Sequence, residues 1–380
     1  MEFLWNCYKR AGDDGLKNIT DMEQDRQYMK MALELAQKGM GFTAPNPMVG
    51  AVIVKNGRII GQGYHRKYGE LHAEREALAA CTEEPEGASI YVTLEPCCHY
   101  GKQPPCVNAI LEAGIRRVII GSSDPNPLVA GKGIRILKDH GIEVTENILK
   151  EECDKLNEAF FYYIQNKKPY VVMKYAMTMD GKIACENGDS KWVTGKDARE
   201  TVQKMRKQYM GIMVGINTVL EDNPMLNCRI EENVDPIRII CDSNLRIPFE
   251  SNIVNTANKI QTIVVCTNEA DTDKQKYLEE CGVEVVRQKR KGRVNLSELM
   301  KTLGEKGILL EGGGTLNAQA LKENVVNKIC CFIAPKIVGG ANAKSPIEGK
   351  GVEKMMEAYN LRNLEIQKIG NDIMLTGYLK

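Results

Sequence analysis

Three short segments decide how this sequence folds: His72-Ala73-Glu74, Pro96-Cys97-Cys98-His99 and Pro104-Pro105-Cys106. They place an imidazole, two thiols and a spare carboxylate at a spacing that suits zinc. A catalytic zinc site supplies three nitrogen or sulfur ligands and leaves the fourth tetrahedral position to water. A carboxylate that does not bind the metal can move protons to and from that water. The segments therefore indicate a zinc centre for hydrolysis, in the pattern of zinc-dependent base deaminases.

The spacing also suggests which residues bind the metal. His72 and Glu74 are two positions apart, so on a helix they point in different directions, which disfavours both binding one ion. Cys98 directly follows Cys97 and is expected to point elsewhere. Because position 100 is a tyrosine, no Cys-x-x-Cys is formed, and the second thiol ligand is Cys106. We therefore predict that His72, Cys97 and Cys106 bind the metal and that Glu74 is the catalytic proton carrier.

Two other interpretations of the cluster are open. One is a closed structural zinc site with His99 as its fourth ligand, although structural sites rarely carry a proline-rich loop and an idle glutamate. The other is that the cysteines are small buried hydrophobic residues. The clustering of His65, His72 and His99, three of the chain's four histidines, argues against that. Cys106 lies in the first turn of a predicted helix, so we expect its thiol to ionise readily.

Length and composition fit an enzyme of two domains. The chain has 380 residues, of which 43% are hydrophobic and 27% charged. Its net charge of +1 gives no global reason to bind nucleic acid or a membrane. No apolar run approaches the ~20 residues that span a bilayer. Thirteen cysteines without a secretory signal favour a reduced, cytoplasmic protein.

Residues 21–166 alternate helix and strand patterns, which predicts a three-layer α/β/α domain. Asn56-Gly57 predicts a tight hairpin turn. Helices are predicted at Asp21–Lys38, His72–Ala80, Pro105–Gly114, Lys132–His140 and Lys150–Gln165, and strands at Val49–Val54, Arg58–Gly61, Ser89–Thr93, Arg117–Gly121 and Ile142–Glu146.

Asn166-Lys167-Lys168-Pro169 is predicted to be a linker to a second α/β domain, residues 170–380. Residues 1–20 lack a periodic pattern and are predicted to be an extension. Strands of the second domain are predicted at Val171–Ala176, Gly211–Val214, Arg238–Cys241, Thr262–Cys266, Gly307–Leu310 and Lys328–Ala334.

The zinc segments lie within longer motifs that resemble the bifunctional deaminase/reductase family of riboflavin biosynthesis. These motifs are Thr43–Gly50, Gly69–Glu74, Thr93–His99, Gly101–Cys106 and Asp124–Gly133. In that family the longer interval between the two cysteines is the norm. The resemblance runs from about Asp21 to the C-terminus. It implies a cytidine-deaminase-like N-terminal domain and a dihydrofolate-reductase-like C-terminal domain.

For the first domain, the resemblance implies zinc-hydroxide hydrolytic deamination of 2,5-diamino-6-ribosylamino-4(3H)-pyrimidinone 5′-phosphate, with Glu74 shuttling the proton. It also implies that Asn46, His65, His99 and Lys102 contact this substrate. Asn46 could read the base edge, and His99 and Lys102 could meet the ribose phosphate. Taken alone, Lys102 could also be a solvated lysine of the loop.

The second domain carries a weaker local signal. Glycines 312–314 follow a predicted strand and precede a predicted helix start, an arrangement that lets a phosphate approach the backbone. Taken alone, the same glycines could also form an ordinary strand-to-helix turn. This is not the G-x-G-x-x-G fingerprint. Two more segments, Lys174–Ala184 and Val214–Pro224, resemble the NADPH-dependent reductase half of the family. By position, the resemblance to this family implies two sets of residues. The cofactor site is Ala176, Trp192, Thr218, Asp222, Gly313, Gly314 and Thr315. The substrate site is Lys174, Ser190, Arg206, Leu226, Arg229 and Glu311.

The implied second reaction reduces the ribosyl group of 5-amino-6-(5-phosphoribosylamino)uracil to ribityl. Lys174 and Asp222 are candidates to assist proton movement. Arg206 and Arg229 suit a phosphate because the guanidinium fork forms paired bonds, although without the resemblance a surface ion pair is the simpler interpretation. We expect these small-molecule phosphoribosyl pyrimidines, rather than nucleic acid or membrane, as partners, and a homo-oligomer, dimer or tetramer.

Three rival functions are open, of which the nearest is an enzyme of the same family with only one active half. A deaminase of nucleic-acid bases needs a basic, aromatic-rich surface for stacking, which 6% aromatic residues and a balanced charge do not favour. A non-enzymatic zinc module would lack an open metal position and NADPH binding.

Overall fold

The structure, a computed structural model, describes residues 21–127, 129–231, 234–304 and 307–379. They form two compact units that divide between Gln165 and Asn166. The predicted extension, residues 1–20, lies outside the described residues. In the described part of the chain, no helix is long and apolar enough to cross a membrane.

The first unit is built on a five-stranded mixed sheet. In the order β2-β1-β3-β4-β5, the pairs among β2, β1 and β3 are antiparallel and the remaining pairs are parallel. Asn56 and Gly57 have positive φ angles of 51° and 73°, as a primed turn between β1 and β2 requires. The strands are β1 (Gly50–Lys55), β2 (Arg58–Tyr64), β3 (Ser89–Leu94), β4 (Arg117–Ser122) and β5 (Glu143–Thr145).

Helices cover both faces of this sheet. They are α1 (residues 21–37), α2 (Ala73–Ala79), α3 (Cys106–Glu112), α4 (Lys132–Asp139), α5 (Lys150–Leu156) and α6 (Glu158–Asn166). Buried Ala77, Ile110 and Leu137 pack α2, α3 and α4 on one face. Met29 of α1 and Cys153 of α5 pack against the other face. The predicted three-layer α/β/α architecture is confirmed.

One predicted helix of this unit is wrong. The stretch Lys150–Gln165 forms two helices, because the chain breaks at Asn157, whose φ and ψ are −114° and 23°. The buried Asn157 side chain accepts a hydrogen bond from Met48 N (2.8 Å) and donates one to Met48 O (2.9 Å). These two hydrogen bonds satisfy the backbone N–H and C=O of Met48. A contact between residues 109 positions apart therefore interrupts the helix.

The second unit contains a nine-stranded sheet in the order β10-β9-β8-β7-β11-β6-β12-β14-β13. Neighbours from β10 to β12 are parallel, and β14 and β13 add two antiparallel strands. The strands are β6 (Tyr170–Thr178), β7 (Gly211–Gly215), β8 (Ile237–Cys241), β9 (Thr262–Thr267), β10 (Glu284–Gln288), β11 (Gly307–Leu310), β12 (Lys328–Ala334), β13 (Arg362–Ile369) and β14 (Asp372–Tyr378). The sequence patterns predict six of these and miss β10, β13 and β14.

The helices of the second unit connect its parallel strands. They are α7 (Lys196–Gln208), α8 (Ile216–Asp222), α9 (Asn252–Asn255), α10 (Thr272–Glu280), α11 (Leu296–Thr302) and α12 (Gly314–Lys322), followed by a short 3₁₀ helix, Met355–Glu357. α8 begins directly after β7, and α12 begins shortly after its neighbour β11. Ligands of open α/β sheets bind at such carboxyl ends of parallel strands, so this edge positions the second candidate site.

Candidate active sites

In the first unit, three structural elements bring the predicted metal ligands together. His72 is the N-cap of α2, Cys97 follows β3, and Cys106 is the first residue of α3. His72 Nδ1 is 3.5 Å from Cys97 Sγ and 3.4 Å from Cys106 Sγ. All three potential ligand atoms lie within 4.8 Å of one another.

These distances fit zinc. A tetrahedron with Zn–S bonds of about 2.3 Å and a Zn–N bond of about 2.0–2.1 Å has N–S edges of about 3.5 Å. The observed separations of 3.4 and 3.5 Å match such an edge. The donor set, one imidazole and two thiols, is also that of a three-ligand catalytic site.

The two thiols differ in their tendency to ionise. Hydrogen bonds from the Cys106 side chain, from His72 and from Cys106 N lower the pKa of Cys97 to about 4, against the opposing effect of burial. The pKa of Cys106 is raised, because its thiol donates to Cys97 and is buried. Of the two thiols, Cys97 therefore carries the charge first. The expectation that Cys106 ionises to bind zinc stays a prediction.

Glu74 lies next to this cluster without being part of it. Its side chain is only 3% exposed, and burial raises its pKa to about 7. It hydrogen-bonds with the Cys106 thiol and lines the same cavity as His72 and Cys97. A carboxyl group with a pKa near neutrality can both accept and release a proton.

The cavity has a volume of about 270 Å³ and brings together the four residues predicted to contact the substrate. Asn46 Nδ2 lies 3.2 Å from His65 Nε2, and His65 Nδ1 lies 3.0 Å from Leu71 O. Because a carbonyl can only accept, Nδ1 of His65 carries the proton and Nε2 accepts from Asn46. Burial lowers the pKa of His65, which keeps the ring neutral. Asn46 Oδ1 is thereby left as an acceptor.

Two more titratable residues form part of the cavity wall: Asp124, for which the sequence predicts no role, and His99, a predicted substrate contact. Asp124 lines the cavity, and burial raises its pKa to about 6. His99 lines it too, and its buried Nδ1 has no hydrogen-bond partner among the described residues. Glu95 accepts bonds from Asp124 N, Gly131 N and the backbone of α4, which ties this wall to the sheet. The only sequence signal for Asp124 is its position in the motif that continues to Gly133.

In the second unit, three predicted substrate residues form one buried ion cluster. Arg206 donates to both oxygens of Glu311, at 2.8 and 3.1 Å, and Lys174 Nζ lies 3.6 Å from Glu311 Oε2. Burial alone would raise the pKa of Glu311, but Arg206 and Lys174 outweigh it and lower that pKa to about 2. The Nε and Nη2 groups of the Arg206 guanidinium are therefore paired with the carboxylate of Glu311.

The same cluster orders the chain at residues 226–229. Arg206 Nη1 donates to Asn227 O at 3.1 Å, and Gln203, one turn earlier on α7, accepts from Arg229 N at 2.9 Å. Leu226 is buried with a positive φ of 50°, and Cys228 N donates to Asp235 at 2.8 Å. The segment is held by its peptide groups, while the Arg229 side chain is exposed.

The predicted cofactor residues gather less tightly. Gly313 is the N-cap of α12, and no side chain of the described residues caps this helix. A Cβ on Gly215, the N-cap of α8, would lie 3.7 Å from Leu316, so the two helix starts are adjacent. Thr315 Oγ1 donates to Glu348 at 3.0 Å. Thr218 and Asp222 lie on α8, Ala176 lies on β6, and Trp192 lies in the loop before α7. Arg199 of α7 stacks 4.4 Å from the Trp192 ring centre. The same loop carries Ser190, a predicted substrate residue.

Comparison with known proteins identifies two family segments. Residues 22–122 match the zinc-binding region of cytidine and deoxycytidylate deaminases, and residues 169–375 match the RibD C-terminal domain. Together they contain all the site residues that the sequence predicts in the two units.

Similar proteins match over nearly the whole chain. The riboflavin biosynthesis protein RibD of Actinobacillus pleuropneumoniae is 51% identical over 95% of this chain and 96% of its own length. That of Escherichia coli strain K12 is 37% identical over 93% and 98%. The solved structure of Acinetobacter baumannii RibD has a TM-score of 0.82 at 35% identity, covering 94% of this chain and 99% of that one. A deaminase/reductase structure from Thermotoga maritima gives 0.81 at 35%, over 95% and 100%.

Proposed function

This chain belongs to the RibD family of bifunctional deaminase/reductases of riboflavin biosynthesis, and from that premise we propose which reactions its two sites perform. The first site deaminates 2,5-diamino-6-ribosylamino-4(3H)-pyrimidinone 5′-phosphate. The second reduces the ribosyl group of the product, 5-amino-6-(5-phosphoribosylamino)uracil, with NADPH. The observation that carries the first assignment is the His72, Cys97 and Cys106 triangle beside the buried Glu74.

Zinc, held by His72, Cys97 and Cys106, would acidify water at the cavity and so provide a nucleophile. Glu74 takes the proton of that water and delivers it to the departing amino group. Its burial supports this role, because a carboxyl group with a pKa of about 7 exchanges protons at neutral pH.

The cavity walls orient the pyrimidine. Neutral His65 fixes the amide of Asn46 through the bond to its Nδ2, so Oδ1 can accept from an N–H of the base. His99 Nδ1, buried and without a hydrogen-bond partner among the described residues, offers a further polar contact. Lys102 supplies the positive charge that meets the phosphate of the ribose.

NADPH fits the carboxyl edge of the second sheet, where it would supply the hydride. The start of α12 offers backbone N–H groups beside Gly313, which suits an anionic phosphate. Glu311 holds Arg206 and Lys174 in place, and Arg206 in turn fixes the segment that carries Arg229. Exposed Arg229 is then the guanidinium that meets the substrate phosphate. Lys174 and Asp222 are the candidates for assisting proton movement. A cytoplasmic location and a homo-oligomer, dimer or tetramer, stay predictions from the sequence.

The experiment supplies the diaminopyrimidine ribotide to the zinc-loaded protein with and without NADPH and identifies the products by mass. Without NADPH we expect ammonia and the deaminated ribosyl compound. With NADPH we expect the ribityl compound, which carries two more hydrogens. Oxidation of NADPH without prior release of ammonia would contradict the assignment of the two sites.

A further inference from the structure

The loop from Cys97 to Cys106 presents Lys102 to the cavity in a defined position. Its Nζ lies 4.0 Å from the centre of the Tyr68 ring, well inside the ~6 Å range of a cation–π interaction. A Cβ built on Gly69 would be 3.7 Å from Lys102 Cδ and 3.8 Å from its Nζ. The lysine side chain therefore lies against segment 68–70, and both Tyr68 and Lys102 line the cavity.

The segment that receives Lys102 is itself anchored. Tyr68 N donates to Phe42 O at 3.0 Å, and Gln103 Nε2 donates to Gly69 O at 3.1 Å. Gly69 has a φ of +91°, a conformation that glycine adopts without the steric cost of a side chain. The loop is thus joined, at the residue that follows the lysine, to a segment that is anchored elsewhere in the unit.

The group that holds the Lys102 ammonium determines whether its charge remains available to a phosphate. In the described part of the chain, Lys102 forms no ion pair with a carboxylate. A carboxylate would neutralise the ammonium and compete with a phosphate, whereas an aromatic face orients the ammonium and leaves its charge intact. Holding the lysine before the substrate arrives also reduces the ordering cost of binding.

We propose that Tyr68 is a positioning residue of the deaminase, which holds the Lys102 ammonium where the 5′-phosphate of the substrate binds. This inference rests on the proposed role of Lys102. Tyr68 acts on the phosphate through the lysine and takes no part in proton transfer, so its effect belongs to KM and not to kcat.

The test measures ammonia release from the ribotide and from the matching riboside without phosphate. The variants are Tyr68→Phe, Tyr68→Leu, Lys102→Ala and the double variant Tyr68→Leu/Lys102→Ala, each checked for zinc content. Tyr68→Leu should raise the KM of the ribotide about two- to fivefold, the value of an exposed cation–π interaction, with kcat unchanged. Tyr68→Phe, which keeps the ring, should restore the KM, and the riboside should not distinguish Tyr68→Leu from the wild type.

In the Lys102→Ala background, Tyr68→Leu should add nothing, because residues that act through one contact are not additive. An equal rise in KM for ribotide and riboside, or a full additional effect without Lys102, would overturn the inference while leaving the role of Lys102 intact. A Lys102→Ala variant with an unchanged ribotide KM would instead remove the proposed phosphate contact, and the inference with it.

Discussion

The two units hold their buried carboxyl groups in opposite ways. In the first unit, Asp124 lines the cavity and burial raises its pKa to about 6. In the second, Arg206 and Lys174 outweigh burial and lower the pKa of Glu311 to about 2. The first unit therefore accepts an unfavourable charge at its cavity wall, and the second neutralises a charge to build a scaffold. Perturbed groups of the first kind are typical of sites that act on a ligand.

The largest effect is expected at Glu74. Glu74→Gln keeps the shape of the side chain but cannot carry the proton, so ammonia release should fall about 10²- to 10⁴-fold, the usual value of general acid–base catalysis. Reduction of externally supplied deaminated intermediate should not change. Steady-state rates of both reactions on the purified, zinc-loaded variant give the answer.

Glu76→Gln is the matched control, because Glu76 lies on the same helix but pairs with Arg66 at the surface. It should retain the deaminase rate. Near-normal ammonia release by Glu74→Gln would remove Glu74 from the proposed mechanism.

Metal binding should distinguish Cys106, a proposed ligand, from Cys98, the neighbour of the proposed ligand Cys97. Cys106→Ser should lose most of its zinc and its deaminase activity, because it removes one of three ligands. Cys98→Ser should retain both, since Cys98 packs against the hydrophobic core. The metal content per chain after gel filtration measures this, and full zinc in Cys106→Ser would contradict the ligand set.

Removing the negative charge of Glu311 should change how the free energy of unfolding depends on pH. The pKa of Glu311 is lowered from the usual 4.5 to about 2, so its ionised form stabilises the fold. That contribution is complete above pH 4.5 and disappears as the pH falls toward 2. Its size is about 3 kcal/mol, from the shift in pKa. Glu311→Gln should therefore lower the free energy of unfolding at pH 7 and flatten its fall between pH 4.5 and 2.

Denaturant unfolding over this pH range measures the effect, with the exposed Glu280→Gln as control. A Glu311→Gln variant that is as stable as the wild type at pH 7 would show that the ion cluster is not a scaffold.

Ionisation of Asp124 should change the free energy of unfolding in the opposite direction to that of Glu311, and by a smaller amount. Its pKa is raised from 3.8 to about 6, so ionisation destabilises the fold. The penalty is absent below about pH 3.8 and complete above about pH 6. Asp124→Asn should stabilise the first unit at pH 8 by about 1–3 kcal/mol and slow ammonia release. Thermal unfolding at pH 8 and pH 4 checks this, and a less stable variant at pH 8 would contradict it.

The two units also differ in how much of each candidate site could be predicted from the sequence. Zinc requires particular side chains, and the proposed ligands Cys97 and Cys106 lie only 25 and 34 positions after the third, His72. They also follow strands and begin helices that the hydrophobic pattern predicts. The proposed metal ligands and Glu74 could therefore be chosen from residue types and spacing, whereas the substrate contacts were predicted only from the family resemblance.

The second site offers no such signal. Its ion pair joins Arg206 to Glu311 across 105 positions. Its proposed anion site uses the backbone of α12, which any strand-to-helix turn could present. The break at Asn157 has the same cause, a partner 109 positions away. Local patterns cannot predict contacts that depend on how distant segments pack.

We propose that each reaction needs one site of this chain and not the other. Glu74→Gln and Glu311→Ala proteins should each fail to make the ribityl product from the diaminopyrimidine ribotide and NADPH. The Glu311→Ala protein should accumulate the deaminated intermediate, and mixing the two proteins should restore the ribityl product. Failure of the mixture to form this product, with both proteins folded and zinc-loaded, would contradict the account.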